Sequence, residues 1–242
     1  MRLKYITISG ANEHTNIEDL AVLLFKHPQA EAGIQVSGEK CSYGSPRFEW
    51  IMNLYRFLNK NKMRVNIALH LNKDWVEKFC AAEVVPELKE LLQLRYYNGE
   101  MFIKRVQLNF KIGREKTPDF ETLRKMVRQY CDQRFITSYN ADNAPLIDKL
   151  YQSGLMFDNL FDSSFGKGIE PSSRELPVYS GILQGYAGGL GPDNITNELR
   201  NLKAIDGDIY IDAQRKLEDE NEHLDLEKAK AFILNALRAI RR

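Results

Sequence analysis

The chain has 242 residues, 43% of them hydrophobic, with 34 Lys and Arg against 33 Asp and Glu for a formal net charge of +1. A length close to the roughly 250 residues of one (β/α)8 barrel points to a single domain with a large core, and the balanced charge argues against the basic field that nucleic acid or an anionic membrane would attract. Cys41, Cys80 and Cys131 are scattered, odd in number and without His or Cys at ligand spacing, so neither a disulfide framework nor a zinc site is expected and a reducing cytoplasm fits best.

The first residues become strand-like at once and lack the apolar run of a signal peptide or membrane span, so a soluble cytoplasmic protein is expected. Residues 5–9 form a β-branched run ending at Gly10, and Asn16-Ile17-Glu18-Asp19-Leu20 opens an amphipathic helix through Phe25. Residues 32–37 read as strand two. A polar loop with Cys41, Tyr43 and Ser45-Pro46-Arg47-Phe48 follows, then a helix with Trp50, Ile51, Leu54 and Leu58 at helical spacing. Residues 65–72 alternate strictly, with Asn66, Ala68, His70 and Asn72 on one face, which places His70 near the end of strand three.

From Trp75 to Leu94 the period is helical, and Pro86 divides it into two pieces. Residues 102–110 contain strand four and residues 120–130 its helix. Residues 135–138 are strand five, followed by a helix over 144–150. Residues 155–162 bring strand six to Asp162, and a glycine-bearing loop over 163–168 leads to a short helix around 171–175. The apolar segment at Ile182 and Leu183 is strand seven, residues 208–212 are strand eight, and residues 224–240 form the closing amphipathic helix. The charged run over 215–222 reads as a solvated loop. Eight alternating units predict a single (β/α)8 TIM barrel over residues 1–242, with an open doubly wound sheet as the competing architecture.

Between strand seven and its helix lies Tyr186-Ala187-Gly188-Gly189-Leu190-Gly191-Pro192-Asp193-Asn194-Ile195. Two adjacent glycines let the backbone approach an anion without a Cβ in the way, and the N–H groups at the following helix start favour negative charge. As the seventh βα loop of a barrel this is a place where phosphate sites recur. A plain tight turn is the bland alternative.

Several of these loops together resemble the phosphoribosylanthranilate isomerase family. Ile8-Ser9-Gly10-Ala11-Asn12 resembles the family's Ile-Cys-Gly-Ile-Thr, and Ser45-Pro46-Arg47-Phe48 its Ser-Pro-Arg-Tyr. Val106-Gln107-Leu108-Asn109 is similar to Val-Gln-Leu-His, and Ala187 to Ile195 to Ala-Gly-Gly-Leu-Asn-Pro-Glu-Asn-Val. Asp212-Ala213-Gln214-Arg215-Lys216-Leu217-Glu218 lies on Asp-Val-Ser-Ser-Gly-Val-Glu.

The resemblance implies a TIM barrel that performs an Amadori rearrangement of a phosphorylated aminoaldose to an aminoketose, an intramolecular oxidoreduction in tryptophan biosynthesis, without metal or redox cofactor. It places the general acid at Asp162 and the general base at Ser9, where the family has cysteine. A hydroxyl is not a base near neutrality, so Cys41, His70 and Asp212 are the candidates to replace it, His70 having the best intrinsic pKa. It implies Arg47 for the anthranilate carboxylate, Gln107 and Asn109 as substrate contacts, and Gly188, Gly189 and Leu190 with Arg215 and Lys216 for phosphate. The alternatives are a barrel that keeps the phosphate cup but runs a different reaction, and a non-catalytic barrel that binds a phosphoribosyl ligand. The expected partner is a phosphorylated small molecule, with no nucleic acid and no membrane, in a monomer or homodimer.

Overall fold

The structure is a computed structural model and describes residues 1–112, 117–162, 179–205 and 207–240. Its strands are β1 (Arg2–Ser9), β2 (Ala30–Val36), β3 (Asn66–Leu71), β4 (Arg105–Leu108), β5 (Arg134–Tyr139), β6 (Phe157–Phe161), β7 (Gln184–Tyr186) and β8 (Asp208–Ala213). Each pairs in parallel with the next, and β8 returns to β1 through pairs such as Ile8↔Ala213, so the sheet closes in sequence order. This is a single (β/α)8 TIM barrel, and closure excludes the open doubly wound sheet.

Local sequence explains where the helices begin. Asn16 caps α1 (Ile17–Lys26) by accepting from the Asp19 amide at 3.0 Å, and Asp119 caps α5 (Phe120–Gln129) in the same way through Thr122. Ser45-Pro46-Arg47-Phe48, read from sequence as part of a loop, is instead the start of α2 (Pro46–Lys60). Ser45 accepts from the Phe48 amide and Pro46 takes the first helical position, where its missing N–H costs nothing. Pro86 divides the next helical stretch as expected, into α3 (Asp74–Cys80) and α4 (Pro86–Gln93). The remaining helices are α6 (Ala144–Gln152), α7 (Ile195–Asn201) and α8 (Leu226–Ile240). No helix among the described residues is long and apolar enough to cross a membrane. The loop over 163–168 and the short helix around 171–175 lie outside the described residues.

Strand alternation sorts the side chains into two sets. Ile6, Ile8, Ile34, Ile67, Leu69, Val106 and Leu108 belong to the main core with the apolar faces of the helices. The other set fills the barrel, where branched aliphatic layers are usual, and here it is largely polar. Arg105, only 1% exposed, donates to Glu31 at 2.8 Å and to Asp158 at 3.2 Å. Its guanidinium lies between two rings, 4.5 Å from the Tyr5 centroid and 4.1 Å from that of Tyr210. Arg134 holds the second Asp158 oxygen at 2.7 Å, and the Thr7 hydroxyl donates to Glu31.

Tyr210 reaches across to β7, where a Cβ on Gly185 would stand 2.1 Å from Cζ of its ring. A ring already stacked on a buried guanidinium cannot step aside. We expect Gly185→Ala to lose about 1–3 kcal/mol, seen as a lower urea midpoint; an unchanged midpoint would show that the ring has room to move.

Candidate active site

A cavity of about 410 Å3 opens at the C-terminal ends of the strands. It brings together Ser9, His70, Gln107, Asn109, Asp162, Asp212, Gly188, Gly189, Leu190, Arg215 and Lys216. Arg47 is not among its lining residues. The start of α2 buries it, and its guanidinium pairs with Glu13 and donates to the Gln35 carbonyl at 2.7 Å.

The glycine turn follows β7. Gly188 and Gly189 have φ of 83° and 64°, left-handed values that explain a pair of glycines here. Asn194 closes the turn, accepting from the Gly191 amide at 2.9 Å and donating to the Gly189 carbonyl at 2.8 Å. The Ile195 amide at the start of α7 is spent on the Gly191 carbonyl. The sequence reading assigned anion binding to the helix start together with Gly188, Gly189 and Leu190, and all three of these residues line the cavity.

The loop after β8 packs onto this turn. A Cβ on Gly191 would lie 2.6 Å from the Lys216 Cβ, so glycine admits the lysine stem beside the turn. The run over 215–222 is therefore more than a solvated loop. Leu217 is fully buried in a short 3-10 turn, and Glu218 and Leu224 form a bridge that fixes the loop.

Ser9, His70, Asp162 and Asp212 line the same cavity as the turn. The Ser9 hydroxyl donates to Asp212 Oδ1 at 2.6 Å, so its proton is committed and it serves as a hydrogen-bond donor rather than a base. Asp212 is 8% exposed, and burial raises its pKa to about 7. The Ser9 hydrogen bond opposes the rise, the nearby negative charge of Asp162 adds to it, and Arg105 from the barrel floor opposes it. Asp212 therefore holds a proton close to neutrality, beside half-buried Asp162 at the end of β6.

The two other base candidates behave differently. Burial drives the His70 imidazolium down to about 4, leaving a neutral ring whose Nε2 has no partner among the described residues. Cys41 is buried away from the cavity, with its thiol pushed up to about 12, mainly by burial. Such a thiol is not a thiolate at neutral pH.

Sequence reasoning did not single out Gln35, Asn72, Lys111, Ser138 or Gln214, which also line the cavity. Their signal was available in part: Gln35 and Asn72 share the strand face of Gly33 and His70. Among the described residues no three or more His, Cys, Asp and Glu side chains are grouped to hold a metal ion.

No family model and no curated protein sequence matches this chain. Solved structures do. N-(5'-phosphoribosyl)anthranilate isomerase from Pyrococcus furiosus superposes with a TM-score of 0.52 at 12% identity, over 97% of this chain and 98% of its own. A mutant tryptophan synthase alpha-subunit from the same organism gives 0.51 at 11% identity, over 97% and 98%. Octameric ribulose-1,5-bisphosphate carboxylase/oxygenase from Pyrococcus horikoshii OT3 gives 0.58 at 11% identity, over 99% of this chain and 59% of that one. At these identities the likeness shows a shared TIM-barrel fold.

Proposed function

We propose that this chain is a phosphosugar isomerase that converts a phosphorylated aldose or aminoaldose to the corresponding ketose. The observation that carries the reading is the proton held by Asp212 near neutrality beside Asp162, in the same cavity as the glycine turn. A carboxyl group that keeps its proton near neutrality can act as general acid beside a second carboxyl group acting as base.

In an open-chain aldose, Asp162 takes the proton from C2 while Asp212 gives its proton to the oxygen on C1, forming the enediol. Asp162, its proton exchanged with solvent during the lifetime of the enediol, then protonates C1, and Asp212 recovers a proton from the C2 hydroxyl as the ketone forms. Both carboxyl groups end as they began. For an aminoaldose, the same pair first opens the ring, with Asp212 protonating the ring oxygen. This assigns the acid to Asp212 on β8 and the base to Asp162 at the end of β6, whereas the resemblance places the acid at Asp162 and the base at Ser9.

The Gly189 and Leu190 amides and the cations of Arg215 and Lys216 suit a phosphate at the β7 and β8 loops. Two of the superposing barrels carry phosphorylated sugars in their names. Arg47 is engaged by Glu13 outside the cavity, which favours a ligand without an anthranilate carboxylate. The test is proton NMR in D2O with a panel of pentose and aminopentose 5-phosphates. One aldose phosphate is expected to give ketose with deuterium at C1, and Asp162→Asn should slow it by about 10²- to 10⁴-fold. Tight binding of a phosphate ester with neither ketose nor deuterium exchange would leave a binding protein and remove the isomerase.

A further inference from the structure

The wall formed by β3 and β4 carries a row of amides whose direction is fixed at one end. The Asn72 Nδ2 donates to the His70 carbonyl at 2.9 Å, and a carbonyl can only accept. Asn72 must therefore turn its oxygen to Asn109, whose Nδ2 donates to it at 3.0 Å. Asn109 in turn presents its oxygen to Gln107, whose Nε2 donates at 2.8 Å. Reversing any one amide would set oxygen against oxygen, so the row ends on Gln107 Oε1. That oxygen is buried without a partner among the described residues, and so is Nε2 of His70, the β3 residue paired with Gln107 across the sheet. Both side chains line the cavity. Gly33 on β2 leaves the space for this arrangement, because a Cβ there would lie 2.9 Å from His70 Nε2 and 2.5 Å from Ser9 Oγ.

We propose that His70 Nε2–H and Gln107 Oε1 together hold one neutral hydroxyl group of the ligand, which accepts from the first and donates to the second. A phosphate or carbonyl oxygen there would face Gln107 Oε1 with no proton between them. In the eight-strand ring β3 and β4 stand opposite β7 and β8, so the hydroxyl belongs to the end of the ligand remote from its phosphate. The position of the phosphate rests on the function proposed above; the hydroxyl subsite rests on the amide row. The substrate class is then a phosphorylated sugar that carries a free hydroxyl remote from its phosphate, on a carbon other than the carbonyl carbon. His70 acts as a hydrogen-bond donor to substrate and not as the base.

Calorimetry with ribitol 5-phosphate, pentyl phosphate, inorganic phosphate and ribitol tests this. Wild type should bind ribitol 5-phosphate roughly 10- to 100-fold more tightly than pentyl phosphate. His70→Phe and Gln107→Met should each lose most of that margin while binding pentyl phosphate as wild type does. The double variant should lose no more than either single one, since all three remove the same hydroxyl contact. Equal wild-type affinity for ribitol 5-phosphate and pentyl phosphate would overturn the hydroxyl subsite while phosphate binding stood, and that comparison needs no variant to fold. Binding of ribitol that depends on His70 and Gln107, with no binding of inorganic phosphate or pentyl phosphate, would uphold the subsite and overturn the phosphate site. Absence of binding by all four would overturn both.

Discussion

Replacing Arg105 by leucine should cost about 3–5 kcal/mol of folding free energy, the penalty of leaving buried carboxylates without their cation. Glu31 is fully buried and Asp158 nearly so, and Arg105 is the only described cation hydrogen-bonded to Glu31. Arg134 continues to hold one Asp158 oxygen from the barrel rim, so Glu31 bears most of the loss. For a chain of this size the change corresponds to a fall in Tm of roughly 10 °C. Adding Glu31→Gln and Asp158→Asn to an Arg105→Met chain should recover most of the stability, because all three charges are then removed together. A loss below about 1 kcal/mol for Arg105→Leu would mean that the group is solvated rather than buried. The Arg105 charge also holds down the Asp212 pKa, so a folded Arg105→Leu chain should show the alkaline-side limb of its activity, where Asp212 loses its proton, moved to higher pH.

Asp212→Asn should abolish isomerisation and stabilise the protein at alkaline pH. An unfolded aspartate releases its proton near 4, whereas Asp212 keeps it to about 7. Between those values the folded chain binds more protons than the unfolded one, so stability falls as pH rises through the window. The favourable contribution is complete below about 4 and gone above about 7. Asparagine has no proton to lose and its oxygen still accepts from Ser9. The variant should therefore lack this slope and exceed wild type at pH 8 by an amount on the order of 3–4 kcal/mol, with the advantage vanishing toward pH 4. Parallel stability curves for the two proteins from pH 4 to 8 would show that Asp212 ionises as an exposed carboxyl does.

The barrel was legible because its strands alternate and its helices announce their ends. Asn16 and Asp119 mark helix starts before any contact is known, and Pro86 marks a break. Ser45-Pro46 carried the same kind of signal, but its likeness to a ligand-binding motif drew attention to Arg47 as a substrate contact. The helix start places that arginine beside Glu13 instead. The polar barrel interior was not legible. Glu31 lies just before the strand read over 32–37, Arg105 follows Lys104 in the strand over 102–110, and Asp158 shares its strand with Asp162, so none of them stands out in the sequence as part of a buried cluster. Arg105 is 74 residues from Glu31 and 53 from Asp158 in sequence, so only closure of the barrel brings them together.

The candidate site divides in the same way. The ends of β6 and β8 and the glycine pair could be read from sequence, since strand ends and turns are local features. The proton affinity of Asp212 could not, because burial, Ser9, Asp162 and Arg105 set it jointly from four strands. The direction of the amide row was equally hidden, since it depends on Asn72 meeting the carbonyl of His70 and on the pairing of β3 with β4.

The most direct measurement is carbon-13 NMR titration of the aspartate carboxyl groups, with Asp212 assigned by its loss in Asp212→Asn. A midpoint near 7 is expected in wild type, moving to lower pH in Asp162→Asn, where the neighbouring negative charge is removed. A midpoint near 4 that ignores Asp162→Asn would contradict the acid–base pair on which the proposed isomerisation depends.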